Sequence, residues 1–362
     1  MAVSHRAGAA AIRLKQSLLG LALASCLCCA TTTSLERRAW WGVETPRFEV
    51  VSSLDKSASL ALALDLERFL LASEALLGTR LVLPSGRTRV YAYNGKGFDR
   101  PFDLSNQPSY FLPSADGGTL VLRTGSGFQD ATESARADLL RYRVRNSGSP
   151  ATPLWYDVGF ASFLSTARPE GRKVVVGEPR RDLLAVLRDQ VWASSDDVLA
   201  TASLDDAGRR DRAVFEARTW ALVYFLHFSD RLGGAPRAQL DAALLQNEPG
   251  EGTTLDWFGT PAGLFDRGLR RYVSTELGSQ RLVVRVDEAL RINEPRQLDC
   301  KQVGDALGRL GLALERPGVA DKYLDFAARC SPHSTGPAAP QAPDALPSTP
   351  SQGDSLGSGE RS

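Results

Sequence analysis

Apolar positions along the chain switch between two periods, and the switches mark out its elements. Phe48-Glu49-Val50-Val51 alternates as a strand does, and Ser52-Ser53 after it suits a helix cap. Leu62, Leu66, Phe69, Leu70 and Leu77 then make an apolar stripe at helical spacing, stopped by Gly78. Thr88 to Tyr93 predicts a second strand, with Val90 and the tyrosines supplying β-propensity. Tyr110-Phe111-Leu112 and Leu120-Val121-Leu122 predict a hairpin across Asp116-Gly117-Gly118. A largely helical stretch follows. Asp130 and Glu133 have capping-box spacing, and their helix runs to about Asn146. A loop holding Ser147, Gly148 and Pro150 leads to PLWYDVGFASFLST, residues 153–166, a second helix opened by Asp157-Val158. Further helices are predicted near 179–191, 208–229, 235–246 and 261–273. Leu307, Leu310 and Leu314, then Ala320, Tyr323, Leu324 and Ala327, predict two more helices on either side of Pro317-Gly318. The pattern is α+β: a small N-terminal mixed sheet, a helical subdomain, and a C-terminal helical hairpin.

Composition narrows the function classes. Of 362 residues, 43 are Lys or Arg and 42 are Asp or Glu, so charge gives no case for nucleic acid as a partner. The first residues read as a targeting segment instead. Basic Arg6, Arg13 and Lys15 precede an apolar run, Leu18 to Ala24, too short to span a bilayer. Leu23-Ala24-Ser25-Cys26 resembles the bacterial lipobox, which implies a signal peptide over 1–25, cleavage before Cys26, and lipid on its thiol. The expected partner there is the membrane, through a lipid anchor. The expected location is the cell envelope, with Leu27 favouring the outer membrane facing the periplasm. Residues 26–47 are then anchor and tether, and 332–362, rich in Pro, Ser and Gly with almost no large apolar residue, a disordered tail.

Cysteine usage fits an oxidising compartment. Cys26, Cys28 and Cys29 crowd the cleavage site, and the last two have no assigned role. Cys300 and Cys330 fall at the same end of the helical hairpin, spanning 281–331, if its helices are antiparallel. A disulfide there would close a loop of about 30 residues and stabilise by roughly 3–4 kcal/mol.

The helix pair at 129–166 carries a resemblance. Arg145-Asn146, Pro153-Leu154-Trp155-Tyr156-Asp157, Gly159-Phe160-Ala161 and Phe163-Leu164 are similar to the gluzincin-type metallopeptidase-like proteins of the bacterial DUF1570 (peptidase MA-like) group, over roughly 48–275 within a domain bounded at 48–280. The resemblance implies a zincin-like fold. In that family the first helix carries His-Glu-x-x-His and the second a Glu in Trp-x-x-Glu-Gly. Two histidines one helical turn apart hold zinc, a carboxylate from the next helix completes the site, and the first Glu takes a proton from bound water. In the implied register the histidines fall on Ala137 and Arg141, the catalytic Glu on Asp138, the third ligand on Val158, and a further acid on Ser162. Every ligand is replaced. No slide of register helps, because no histidine lies between His5 and His227. Arg141 would set a fixed cation where the metal would sit, free to pair with Asp138 or Asp157. Without metal or partner an acid at 158 would be costly to bury, whereas valine packs.

Other chemistry is thin. His227 lies on a strongly apolar helix, where a core histidine is the ordinary reading. His333 falls in the tail. The Gly-Ser-Gly at 125–127 shapes a turn, and Asp196-Asp197 and Asp205-Asp206 read as solvated turns. Arg141, Arg143 and Arg145 fan around their helix as a solvated face, with Arg141 turned to the old cleft. Phosphate-loop and dinucleotide motifs are absent, and no cofactor is implied. The expectation is an envelope lipoprotein with an inactive metallopeptidase-like domain that binds a peptide or an envelope protein. Two alternatives stand: a hydrolase using Asp138 and Asp157 as a carboxylate pair, and a purely structural protein.

Overall fold

The computed structural model describes residues 35–330, except 82–85, 96–97, 105–108, 126–128, 148–151, 206, 229–257, 278–280, 287–289 and 291. The targeting segment with Cys26, Cys28 and Cys29, the 332–362 tail and the helix expected at 235–246 lie outside the described residues. After a 3-10 turn at Leu35–Arg37 come β1 (Trp41–Glu44), β2 (Phe48–Ser52), α1 (Lys56–Leu77), β3 (Thr88–Tyr93), a short α2 (Asp99–Phe102), β4 (Tyr110–Leu112) and β5 (Thr119–Arg123). Next are α3 (Gln129–Asn146), α4 (Leu154–Leu164), β6 (Arg168–Glu170), β7 (Lys173–Val176), α5 (Arg181–Asp189), α6 (Ser195–Ala200) and α7 (Arg209–Phe228). The described chain ends with α8 (Ala262–Thr275), β8 (Leu282–Arg285), β9 (Arg296–Gln297), α9 (Cys300–Ala313) and α10 (Pro317–Arg329). The class is the expected α+β. Among the described residues no helix is long and apolar enough to cross a membrane.

Six strands form one mixed sheet in the order β4-β5-β3-β2-β1-β9. β3 runs parallel to both β2 and β5, and the remaining pairs are antiparallel. Alternation along each strand gives the sheet two apolar faces. Val50, Val90, Leu120 and Leu122 pack with Leu66, Phe69 and Leu70 of α1 and Leu139 and Leu140 of α3. Val51, Tyr91, Tyr93 and Val121 pack with Val303, Leu307, Leu310 and Tyr323 of the α9–α10 hairpin. Tyr91 Oη also donates to the Ala306 carbonyl at 2.9 Å. The hairpin is therefore one cover of the sheet rather than a unit beside it.

That arrangement moves two expected boundaries. Trp41–Glu44, placed in the tether, is a sheet strand, pairing with β2 on one side and β9 on the other. Its four residues, with only Trp41 and Val43 alternating, give little periodicity of their own. Pro317, expected between the hairpin helices, opens α10, where its missing N–H costs nothing. Cys300 and Cys330 lie at disulfide distance, with Cα atoms 5.9 Å apart. Small residues let the two helices close up: a Cβ on Gly304 would meet Ala327 at 2.7 Å.

Helix starts differ from expectation by a few residues, each for a local reason. Asp55, not Ser52-Ser53, caps α1, accepting from Ala58 N at 2.8 Å, while Gly78 ends it in the left-handed region as expected. Asp130 is the second residue of α3, and Glu133 accepts from the Gln129 side chain instead of completing a box. α4 starts at Leu154 behind Pro153, one turn before Asp157-Val158. The second sheet, β6-β7-β8, joins an unexpected local hairpin at 168–176 to Leu282–Arg285, a strand far away in sequence.

α4 is the centre of the helical half. Trp155 to Leu164 are all buried, so it is apolar on every side and is enclosed by its neighbours. Against α7 it closes almost to backbone contact: a Cβ on Gly159 would lie 2.3 Å from the Thr219 carbonyl oxygen. Gly159→Ala should therefore push α4 off α7 and lower unfolding free energy by about 1–3 kcal/mol or more, read as a reduced denaturant midpoint. A midpoint unchanged from wild type would show that the helices are not so close.

Candidate functional site

The positions singled out by the sequence converge where α3, α4 and α7 meet. Arg141, Arg145, Leu154, Val158, Arg212 and Glu216 line a cavity of about 530 Å³ there, closed at one side by the 202–205 loop. Val158, 2% exposed, contributes its side chain to that wall. Ala137 is equally buried and belongs to the apolar core under the site. Among the described residues no three His, Cys, Asp or Glu side chains are grouped as a metal would need.

Asp138 and Asp157, the two acids the sequence brought forward, are each taken by an arginine. Asp138 is ion-paired with Arg141, one turn on along α3. Asp157, with a side chain only 4% exposed, accepts from Arg145 Nη2 at 2.7 Å and Nε at 2.9 Å, both on Oδ2. Its Oδ1 has no hydrogen-bond partner among the described residues. Arg141 thus chose Asp138 of its two expected partners, and Arg145 took the other. Burial alone would lower the Arg141 pKa, but Asp138, Glu216 and Asp157 outweigh it and hold the guanidinium firmly charged. Burial pushes the carboxyls of both Asp138 and Asp157 upward, against the pull of their arginines.

Ser162 meets a carboxylate that nothing in the sequence marks. Its Oγ donates to Glu216 Oε1 of α7 at 2.8 Å. Arg180 Nη1 donates to the same oxygen at 2.7 Å. A carboxylate of α7 thus reaches the Ser162 turn of α4. Arg180 is 1% exposed and stands just before α5, where it also donates to Ser134 Oγ at 3.0 Å and pairs with Asp182. One guanidinium thereby ties α3, α5 and α7 together.

The remaining candidates are structural. Arg143 is not on a solvated face: at 1% exposure it donates to the carbonyls of Leu81 and Arg47 and to Thr88 Oγ1 at 2.8 Å, fastening α3 to the sheet. Burial, with Arg47 nearby, pushes its pKa down to about 10. The His227 ring stacks on Phe163 of α4 at 4.9 Å and so belongs to an aromatic ladder. Asp196-Asp197 open α6 rather than forming a turn, with Asp197 in a capping box with Ser194. Asp205 accepts from Ser203 Oγ, and Asp206 lies outside the described residues, as does most of the 125–127 turn.

No known family model matches this chain, and no curated protein is significantly similar to it.

A pH test follows from Asp157. Its folded pKa is raised by burial, so the ionised form opposes folding above that pKa, and stability is regained as pH falls through it toward the ordinary carboxylate value of about 3.9. Asp157→Asn removes this dependence and leaves Arg145, whose side chain is 57% exposed, to water. The variant should be at least as stable as wild type at neutral pH and lose that standing near pH 4, in paired denaturant titrations. A variant much weaker at pH 7 would mean that the Arg145 ion pair outweighs burial.

Proposed function

We propose that this chain is an envelope lipoprotein whose metallopeptidase-like domain binds a ligand and does not cleave it. The targeting segment and Cys26 would provide the lipid anchor, and the cavity over Val158 would receive part of a peptide or an envelope protein. One observation supports the reading: Arg141 and Val158, two positions of the implied register, line an open cavity of about 530 Å³ edged by arginines. A purely structural protein gives no reason to keep that space. The carboxylate alternative is disfavoured because Asp138 and Asp157 are each occupied by an arginine.

The register is testable by restoring what it says was lost. Ala137→His, Asp138→Glu, Arg141→His and Val158→Glu together should create a site holding about one zinc per chain after dialysis, while wild type holds less than about 0.1. Elemental analysis of both purified proteins reads the result. A folded quadruple variant without zinc would overturn the metallopeptidase-like register. Stoichiometric zinc in wild type would overturn the inactive reading.

A further inference from the structure

A second cavity, of about 510 Å³, lies across Leu204 and the other side of α7. Val198, Val214 and Phe215 give it an apolar wall, and Val191, 92% exposed, stands at its edge. Arg218, only 2% exposed, lines it too. A guanidinium this deep in a protein normally has its donors filled, because an underpaired buried charge is costly.

The chain shows how it satisfies such a group elsewhere. Arg180, equally buried, reaches Glu216, Asp182 and Ser134, all at 3.0 Å or less. Arg218 has nothing comparable. Its Nη2 is 3.4 Å from both Asp266 Oδ1 and Ser195 Oγ, at the weak limit of a hydrogen bond. The Asp266 carboxylate is already engaged by the hydroxyl and the backbone N–H of Ser195. Nε and Nη1 of Arg218 have no partner among the described residues. The Trp192 ring covers the guanidinium with its Cζ 4.5 Å from the centroid, and Arg270 approaches the same ring at 5.5 Å, adding a like charge. Consistently, burial and Arg270 lower the Arg218 pKa against the pull of Asp266.

We propose that this cavity binds a small monoanion with an apolar body, a medium-chain carboxylate by chemical class. Its head group would reach Nε and Nη1 of Arg218, which are shut off from solvent in this structure, by displacing part of their cover, and its chain would lie along Val198, Val214 and Phe215. Opposing charges at the cavity do not cancel this. Asp197 and Asp211 are exposed and their fields are screened by water and salt, whereas the buried guanidinium is screened much less. Arg210, on the same wall, is held by Gln190 Oε1 at 2.9 Å and adds a second cation at the rim.

Calorimetric titration of the purified chain with sodium octanoate tests this, with octanol and octyltrimethylammonium as controls. Octanoate should bind with a Kd below about 1 mM, while octanol binds at least tenfold more weakly and the cation not at all. Arg218→Gln should weaken octanoate by tenfold or more. Val191→Asp changes only an exposed edge residue, cannot be lost to misfolding in the same way, and should weaken it severalfold through like charge. Equal binding of octanol and octanoate would reduce the cavity to an apolar groove and overturn the proposal. So would absence of octanoate binding, or binding unchanged in both variants.

Discussion

The helical half rests on one close approach, the passage of α4 over α7 at Gly159 and the Thr219 carbonyl. Everything around the candidate site is positioned from it. With no side chain at 159, the aromatic residues of α4 can lie flat against α7, so that Phe163 meets Tyr224 edge-on and stacks on His227. The same approach carries Ser162 to Glu216 and leaves Val158 facing the space beside Arg212. A bulkier residue at 159 would separate these pairs together, because α4 is buried on all sides and cannot tilt without displacing a neighbour.

Charge in this region is balanced locally and by arginine. Arg141, Arg145 and Arg180 each meet a nearby carboxylate, and Arg180 does so while almost fully buried. A bound dication would draw several carboxylates to one point; here the acids are dispersed, each drawn outward to its own cation. The planar, forked guanidinium suits this work better than a lysine, because one group can bridge three helices through separate donors. Arg218 departs from the rule, and its shortfall is visible only by comparison with the other three.

How much was legible varied with how local each signal is. The α1 stripe, the β4–β5 hairpin, α7, the two hairpin helices and the Cys300–Cys330 pairing were all readable, since each is written within its own segment or by two residues of one special type. β1, β8 and β9 were not, because short strands take their identity from partners elsewhere. Caps were missed narrowly: Asp55 follows Ser52-Ser53 so closely that several residues there could serve. For the site, the sequence brought forward Ala137, Asp138, Arg141, Asp157 and Val158, and all cluster on α3 and α4. Glu216 and Arg180 stayed hidden, since one glutamate on α7 and one arginine after a proline look like any surface charge until the fold brings them together.

The pairing of β1 with β9 has a consequence for how the protein comes to be folded. Trp41 finds Gln297 across the sheet, and the second face of that sheet stays bare until α9 and α10 arrive. Loop-closure entropy for contacts of such long range must be met before burial rewards it, which slows the search. The N-terminal strands therefore wait, with Tyr91 and Val121 uncovered, until nearly all the described chain has emerged. Any agent that handles the chain in the meantime would meet a half-clad sheet rather than a finished surface.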